Sequence, residues 1–178
     1  MEPVDNFFTD RLLAERLREK HLVHLLKMDR DPRIMDNLGG IRSEDETRDY
    51  HRINVEHWER HGHGLWMLTL RTDGSFVGRA ALRHRHIGGH DEVALGYALR
   101  PEYWGRGFAT EIVGAIVDLA FSQFRFESVV AGALHNNHAS RRVMEKVGGR
   151  YEKDTFYKNR PHVMYRFKPA RTTGVDGR

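Results

Sequence analysis

The stretch Leu95-Gly96-Tyr97-Ala98-Leu99-Arg100-Pro101-Glu102-Tyr103-Trp104-Gly105-Arg106-Gly107-Phe108-Ala109-Thr110 decides the fold, because a strand-like run enters a glycine-bearing loop that opens a helix. Ile112, Val113, Ile116, Leu119, Ala120 and Phe124 make one apolar face of that helix, which the pattern starts at Ala109 or Thr110. At a helix start the first amides have no partner inside the helix and the dipole is positive, so a phosphate is favoured there. Gly105 and Gly107 permit positive φ and close backbone approach, and Arg106 adds a cation. A Gly-x-Gly before a helix is also an ordinary tight turn, so these residues alone leave both readings open. No Gly-Lys-Ser/Thr follows, which excludes a Walker loop, and the missing third Gly argues against a dinucleotide fingerprint.

Upstream, Leu65 to Arg71 and Phe76 to His84 read as strands joined by Thr72-Asp73-Gly74-Ser75, where Asp-Gly supplies a hairpin turn. Arg85 to Asp91 reads as a loop and Glu92 to Leu99 as the next strand. Nearer the start, Thr9 to Leu17 suits an opening strand. Leu22, Leu25, Leu26 and Met28 have helical spacing, and Pro32 closes that helix. Ser43-Glu44-Asp45-Glu46 is a capping box for a second helix toward His61, with Tyr50, Ile53 and Trp58 as its expected buried stripe. Downstream, Ser128 to Leu134 is a strand of small and β-branched residues. Asn136 or Asn137 then caps a helix carrying Ala139, Val143, Met144 and Val147, stopped by Gly148-Gly149. Thr155 to Tyr157 and His162 to Phe167 form a closing hairpin. The order predicts a mixed α/β sheet with helices on its faces.

The chain has 178 residues, 39% of them hydrophobic, which suits one domain with a real core and excludes wholesale disorder. The absence of Cys excludes disulfide scaffolds, Cys-ligated zinc and thiolate catalysis. Lys and Arg number 29 against 25 Asp and Glu, a net charge of +4 with both signs interspersed, so no nucleic-acid arm is marked. The start lacks a secretory pattern, and the most apolar stretch, Ile112 to Phe121, is interrupted by Asp118, so a cytoplasmic protein without membrane segments is expected. Residues 1–168 are read as the domain and residues 169–178 as a frayed tail.

The segment Leu95 to Ala109 with Glu111, followed by Asn137-His138-Ala139-Ser140-Arg141-Arg142-Val143-Met144-Glu145-Lys146-Val147-Gly148, resembles the GNAT N-acetyltransferase superfamily, in particular its ribosomal-protein alanine acetyltransferase-like (RimJ/RimL-type) branch. Thr9-Asp10-Arg11-Leu12, Asp31-Pro32, Gly64-Leu65-Trp66 and Val77-Gly78-Arg79-Ala80-Ala81-Leu82 fit the same branch, so the resemblance spans roughly residues 9 to 168. It implies a twisted, mostly antiparallel sheet with one splayed parallel strand pair. It further implies acetyl-CoA bound in the gap between the strand ending at Leu99 and the one ending at Leu134. Backbone groups near Ala98 and Leu99 would pair with the pantetheine arm, amides of Gly105, Arg106, Gly107, Phe108, Ala109 and Thr110 would hold the pyrophosphate, and Asn137 would bond the pantetheine. The reaction implied is direct attack of a neutral amine on the thioester, with amides near Leu99 stabilising the oxyanion.

The chain departs from the family pattern at two catalytic positions. The usual Glu on the strand before the loop is Ala94, and the usual Tyr acid seven residues after the Asn is Met144. Ser140 is the remaining hydroxyl, equally readable as a small packing residue. Glu92, two residues from Ala94 on the same strand face, is a displaced candidate base, with a solvent-facing carboxylate as its plain alternative. His84, His86 and His90 have loose metal-ligand spacing but read as solvated, so no metal is expected; His57 and His61, one turn apart, read the same way. Trp58, Trp66, Tyr157 and Tyr165 are candidates for an acceptor cleft or for the core. The expected function is transfer of acetyl from acetyl-CoA to an amine, a protein N-terminus or a small molecule. Acetylation of a foreign amine such as an antibiotic, and CoA sensing without catalysis, are the rivals. No nucleic-acid or membrane partner is expected, and a homodimer is compatible with the sequence.

Overall fold

A computed structural model of the chain describes residues 3–157 and 159–170, so most of the expected tail, from 171 on, lies outside the described residues. Two short strands open it, β1 (Asn6–Phe8) and β2 (Leu12–Arg16), followed by the helices α1 (Leu22–Asp29), α2 (Pro32–Met35) and α3 (Glu44–His61). The hairpin strands β3 (Leu65–Leu70), β4 (Phe76–Ile87) and β5 (His90–Leu99) lead into α4 (Phe108–Ser122). Strand β6 (Val129–Leu134), helix α5 (His138–Lys146) and the strands β7 (Arg150–Tyr157) and β8 (Arg160–Phe167) complete the order. They form one eight-stranded sheet, β1-β2-β3-β4-β5-β6-β8-β7, in which only β5 and β6 run parallel.

Local chemistry accounts for most boundaries. Ser43 Oγ accepts the Glu46 amide and the Glu46 carboxylate accepts the Ser43 amide, so the capping box starts α3, and Gly62 at φ +71° ends it. Its buried stripe is Thr47, His51, Asn54 and Trp58; Ile53, expected inside, is exposed. The polar members are buried because they have partners, which apolar periodicity does not register. Pro32 does more than close α1. With Asp31 as N-cap, accepting the Arg33 amide, it opens the separate helix α2. The supposed loop Arg85 to Asp91 is mostly strand. Gly88 and Gly89, at φ +58° and +86°, make a tight turn that lets β4 and β5 pair from Gly78↔Leu99 to Ile87↔His90.

The core runs on both faces of this sheet, with Trp58, Trp66, Leu12, Leu25, Ile116 and Phe124 almost fully enclosed. Trp58 and Trp66 pack edge to face at 5.2 Å, so these two aromatics are core and not cleft. Tyr165 is buried too, while Tyr157 is half exposed on β7. Gly78 sits where a Cβ would come within 2.3 Å of the Ala98 carbonyl oxygen, so only glycine lets β4 lie this close to the end of β5. Among the described residues, no helix is long and apolar enough to cross a membrane.

Candidate functional site

The sheet opens where β5 and β6 part. Their pairing is limited to Ala94↔Val130 and Leu95↔Ala131, so from Gly96 onward the edge of β5 has no strand beside it. A polar molecule with its own amides can occupy such an edge as an added strand would. A cleft of about 430 Å³ follows from the splay, in the usual range for small-molecule sites. Ala98, Leu99, Gly105, Gly107, Phe108, Ala109, Thr110, Asn137 and Ser140 all line it, whereas Arg106 and Glu92 do not.

At one end of the cleft, Gly107 at φ +82° is the N-cap of α4 and has no side chain to offer. The amides of residues 105–110 donate to no acceptor among the described residues, while α2, α3 and α5 are each capped by a side-chain oxygen. Such free donors at a helix start suit a pyrophosphate. The loop is held from outside the motif. Arg11 donates to the Arg106 carbonyl at 2.9 Å, pairs with Glu111 at 2.7 Å and lies 4.1 Å over the Phe108 ring. Burial alone would raise the Glu111 carboxyl, but bonds from Thr9 and from the Arg11 amide and guanidinium outweigh it and hold the group below the usual carboxylate range. Trp104 donates its indole N–H to the Leu99 carbonyl at 2.8 Å, tying the loop to the end of β5. That carbonyl, expected to face the pantetheine, therefore already has one partner.

At the other wall, Asn137, which lines the cleft, accepts the Ser140 amide on Oδ1 at 3.1 Å and caps α5. The Tyr97 hydroxyl donates to Ser140 Oγ at 3.0 Å. Burial pushes the Tyr97 phenol above its ordinary range, partly opposed by that bond, so it stays protonated at neutral pH. Met144, at the expected Tyr position, is a buried apolar residue. The phenol thus comes from β5, facing α5. Period-two alternation along β5 could have flagged Tyr97; the Arg11–Glu111 contact, 100 residues apart, carries no local signal.

Glu92 is elsewhere. Its two oxygens take both terminal nitrogens of Arg166, at 2.7 and 2.9 Å, and Arg166 also holds Glu152 and Ser128. Glu92 is thus a strand-linking group away from the cleft. His84 makes ring contacts with His57, His61 and His63, and His86 pairs with Asp91 at 2.9 Å. Among the described residues no group of three or more His, Asp or Glu is arranged to hold a metal.

A family model described as the acetyltransferase (GNAT) domain matches residues 11–150. The chain is 27% identical over 161 residues to the uncharacterized protein YkkB of Bacillus subtilis, across 90% of this chain and 94% of that one. An acetyltransferase structure from Agrobacterium tumefaciens shares the fold with a TM-score of 0.80 at 24% identity, covering 91% of this chain and 93% of its own. RimL, a ribosomal alpha-N-protein acetyltransferase solved in complex with coenzyme A, shares it with a TM-score of 0.71 at 17% identity, covering 90% and 95%.

Proposed function

The chain belongs to the acetyltransferase (GNAT) family, and from that premise we propose that it acetylates the amine of a protein N-terminus or a small molecule, with the cleft between β5 and β6 as its active site. The observation that carries this reading is the row of free amides at residues 105–110 opening on the same cleft as the Tyr97–Ser140 pair. Acetyl-CoA, the family's co-substrate, supplies an activated thioester. The residues present fit it: a bare helix start for the pyrophosphate, an unpaired strand edge at Gly96 to Leu99 for the pantetheine, and Asn137 in the facing wall as a further pantetheine contact.

This chain's own groups then have limited work. Ser140, polarised by Tyr97, is placed to hand a proton to the departing sulfur, and Tyr97 replenishes it. A thiol leaves readily, so this step assists without being essential. Among the described residues no Asp or Glu lines the cleft, so the amine must arrive neutral or lose its proton to water. A peptide α-amino group, with a pKa of about 7.7–8.0, meets that demand far better than a lysine near 10.4.

The test is incubation with acetyl-CoA and a mixed pool of peptides and small amines, followed by thiol assay and mass spectrometry. Acetylated α-amines or small amines support the reading, and a preference for lysine side chains defeats the choice of acceptor. CoA binding without any acetylated product assigns a sensor, the outcome that Ala94 and Met144 would favour.

A further inference from the structure

Cross-strand partners share a face of the sheet, and side chains alternate along each strand. Tyr97 pairs with Ala80 and looks toward α5, whereas Arg79↔Ala98, Ala81↔Gly96 and Arg83↔Ala94 lie on the opposite face. On that opposite face β5 presents His90 and Glu92 at its start, Glu92 being taken up by Arg166, and then the small residues Ala94, Gly96 and Ala98, which leave room beside the splay. Arg83 does not itself line the cleft; it lies across from Ala94, roughly 7 Å along the strand direction from Gly96, which does.

The charges there do not balance. Tyr50 of α3 is surrounded by three guanidiniums, with Arg42, Arg79 and Arg83 at 4.4, 5.0 and 5.6 Å from its ring. One carboxylate, Asp29, serves two of them. It accepts from Arg42 at 2.8 Å and lies 2.7 Å from Arg79, an ion pair without hydrogen-bond alignment. Arg83, largely buried, has no carboxylate partner: it donates to the Asn54 side-chain carbonyl at 2.9 Å and to the Tyr50 hydroxyl at 3.4 Å, a phenol that burial alone would raise but that Arg83, Arg79 and Arg42 hold below its ordinary range. No carboxylate lies within 4 Å of it among the described residues. Burial, and the neighbouring Arg85 and Arg79, work against its charge, with Tyr50 opposing them. A partly desolvated guanidinium without a counter-ion is costly, and its planar fork matches a carboxylate or phosphate.

We infer that the site selects an acceptor amine that also carries an oxyanion, a carboxylate or a phosphate, received by Arg83 on the face of the sheet opposite Tyr97 and Ser140. This rests on the acetyltransferase reading and adds to it the acceptor's chemical class. The spacing suits an anion about one residue's length from the amine, as in an acidic amino acid or a peptide with an acidic second residue. Asn54 and Tyr50 fix the guanidinium plane, and the cations behind it, shared over Asp29, strengthen the field.

The experiment compares acceptors matched in all but charge: glutamate against glutamine, O-phosphoserine against serine, and the peptides Ser-Glu-Ala-Ala against Ser-Gln-Ala-Ala. The expected result is at least a tenfold higher kcat/KM for one or both anionic members, which also tells carboxylate from phosphate. In Arg83→Gln the preference falls below threefold through KM, with the Kd for acetyl-CoA unchanged. Arg83→Lys, which keeps the charge and loses the fork, retains part of it. Equal rates for charged and neutral partners, or a preference surviving in Arg83→Gln, overturn the inference. Calorimetry of the CoA-loaded protein with the same compounds separates the two layers. Anion binding lost in Arg83→Gln, without turnover, upholds the Arg83 site and sinks the acetyltransferase reading. No binding of any anionic member, by calorimetry or kinetics, overturns the Arg83 site.

Discussion

The Tyr97 hydroxyl donates to Ser140 Oγ at 3.0 Å, joining the central strand of the cleft to the first turn of α5. A phenol held protonated by burial and a hydroxyl beside it form a proton path that neither residue makes alone. Ser140→Ala is expected to lower kcat by about 10–100-fold, at or below the usual contribution of a positioned acid. Tyr97→Phe should cost less, and the double variant no more than Ser140→Ala, because residues acting as a unit are not additive. The Kd for acetyl-CoA should not move in any of the three. Steady-state rates and calorimetry decide it, and unchanged kcat in Ser140→Ala returns Ser140 to a packing role.

Gly107→Val is expected to abolish CoA binding while the protein still folds. Position 107 holds φ +82°, which β-branched residues strongly oppose, and a Cβ there would come 3.3 Å from the Arg11 guanidinium. Arg106→Ala should cost binding only about 1–2 kcal/mol, as one charge-assisted contact beside several amides. For the unaltered protein, CoA at 100 times its Kd should add about 2.7 kcal/mol of stability, and NADPH should not. Melting curves and calorimetry measure both effects, and normal CoA binding by the Val variant would reduce the loop to a turn.

How much of this was legible in the sequence depends on distance along the chain. The Ser43 capping box, the Asp73-Gly74 turn and the Asn137 cap are each written within four residues, and each stands where the pattern put it. The strand Asn6–Phe8 was invisible because three residues carry no periodicity, and it exists only through pairing with β2. The same holds at the site. Gly105, Gly107 and Asn137 are local signals, but the loop's fixation by Arg11 is made by the fold. Glu92 shared the face expected of a base, yet Arg166 from β8 claims it, and nothing near position 92 reports that.

The loop's outer fastening should therefore be separable from its motif. Glu111→Gln removes the charge that holds Arg11 and weakens the bond from Thr9. Arg11 is about half exposed, so solvent screening limits the expected loss of stability to about 1 kcal/mol. Because Arg11 also holds the Arg106 carbonyl, CoA affinity should fall by about threefold to tenfold, more than the fold itself suffers. Calorimetry beside a urea titration tests this, and full affinity in Glu111→Gln would show that the loop stands unaided.

Glu92→Gln should act on stability and leave the acidic limb of the pH–rate profile in place. Its loss unpairs one side of Arg166, whose guanidinium Glu92 and Glu152 hold even more firmly protonated than usual. With both Glu92 and Arg166 about four-fifths buried, a cost of about 1–3 kcal/mol is expected, short of a fully buried pair. A shifted acidic limb would instead make Glu92 the base after all.

The last prediction concerns acid. His57, His61, His63 and His84 crowd together, with ring centroids 4.4 Å apart for His57–His61 and for His61–His84. His57 accepts the His84 amide on Nε2 at 3.1 Å, so its proton sits on Nδ1 and is donated to the His63 carbonyl at 2.9 Å. His63 donates from Nδ1 to the Leu82 carbonyl at 2.8 Å and packs against Phe124 and Phe126. Burial, with the neighbouring imidazoles adding to it, lowers both His57 and His63 from 6.5 to about 4. The folded protein therefore keeps these rings neutral while the unfolded chain takes up protons near 6.5. Where the unfolded state binds more protons, stability rises with pH. The contribution is complete above pH 6.5 and is lost as pH falls toward 4, on the order of 3 kcal/mol for His63 alone. The two rings are 5.4 Å apart, so their protonations are coupled and the pair gives up its contribution as a unit. Urea midpoints at pH 7.5, 6.5, 5.5 and 4.5 should fall progressively through this window, most of the decline preceding carboxylate protonation. His63→Asn, which can still donate to Leu82, should be less stable at pH 7.5 and show a flatter profile. Midpoints constant from pH 7.5 to 5, or the same slope in His63→Asn, would mean that these imidazoles titrate as freely in the fold as out of it.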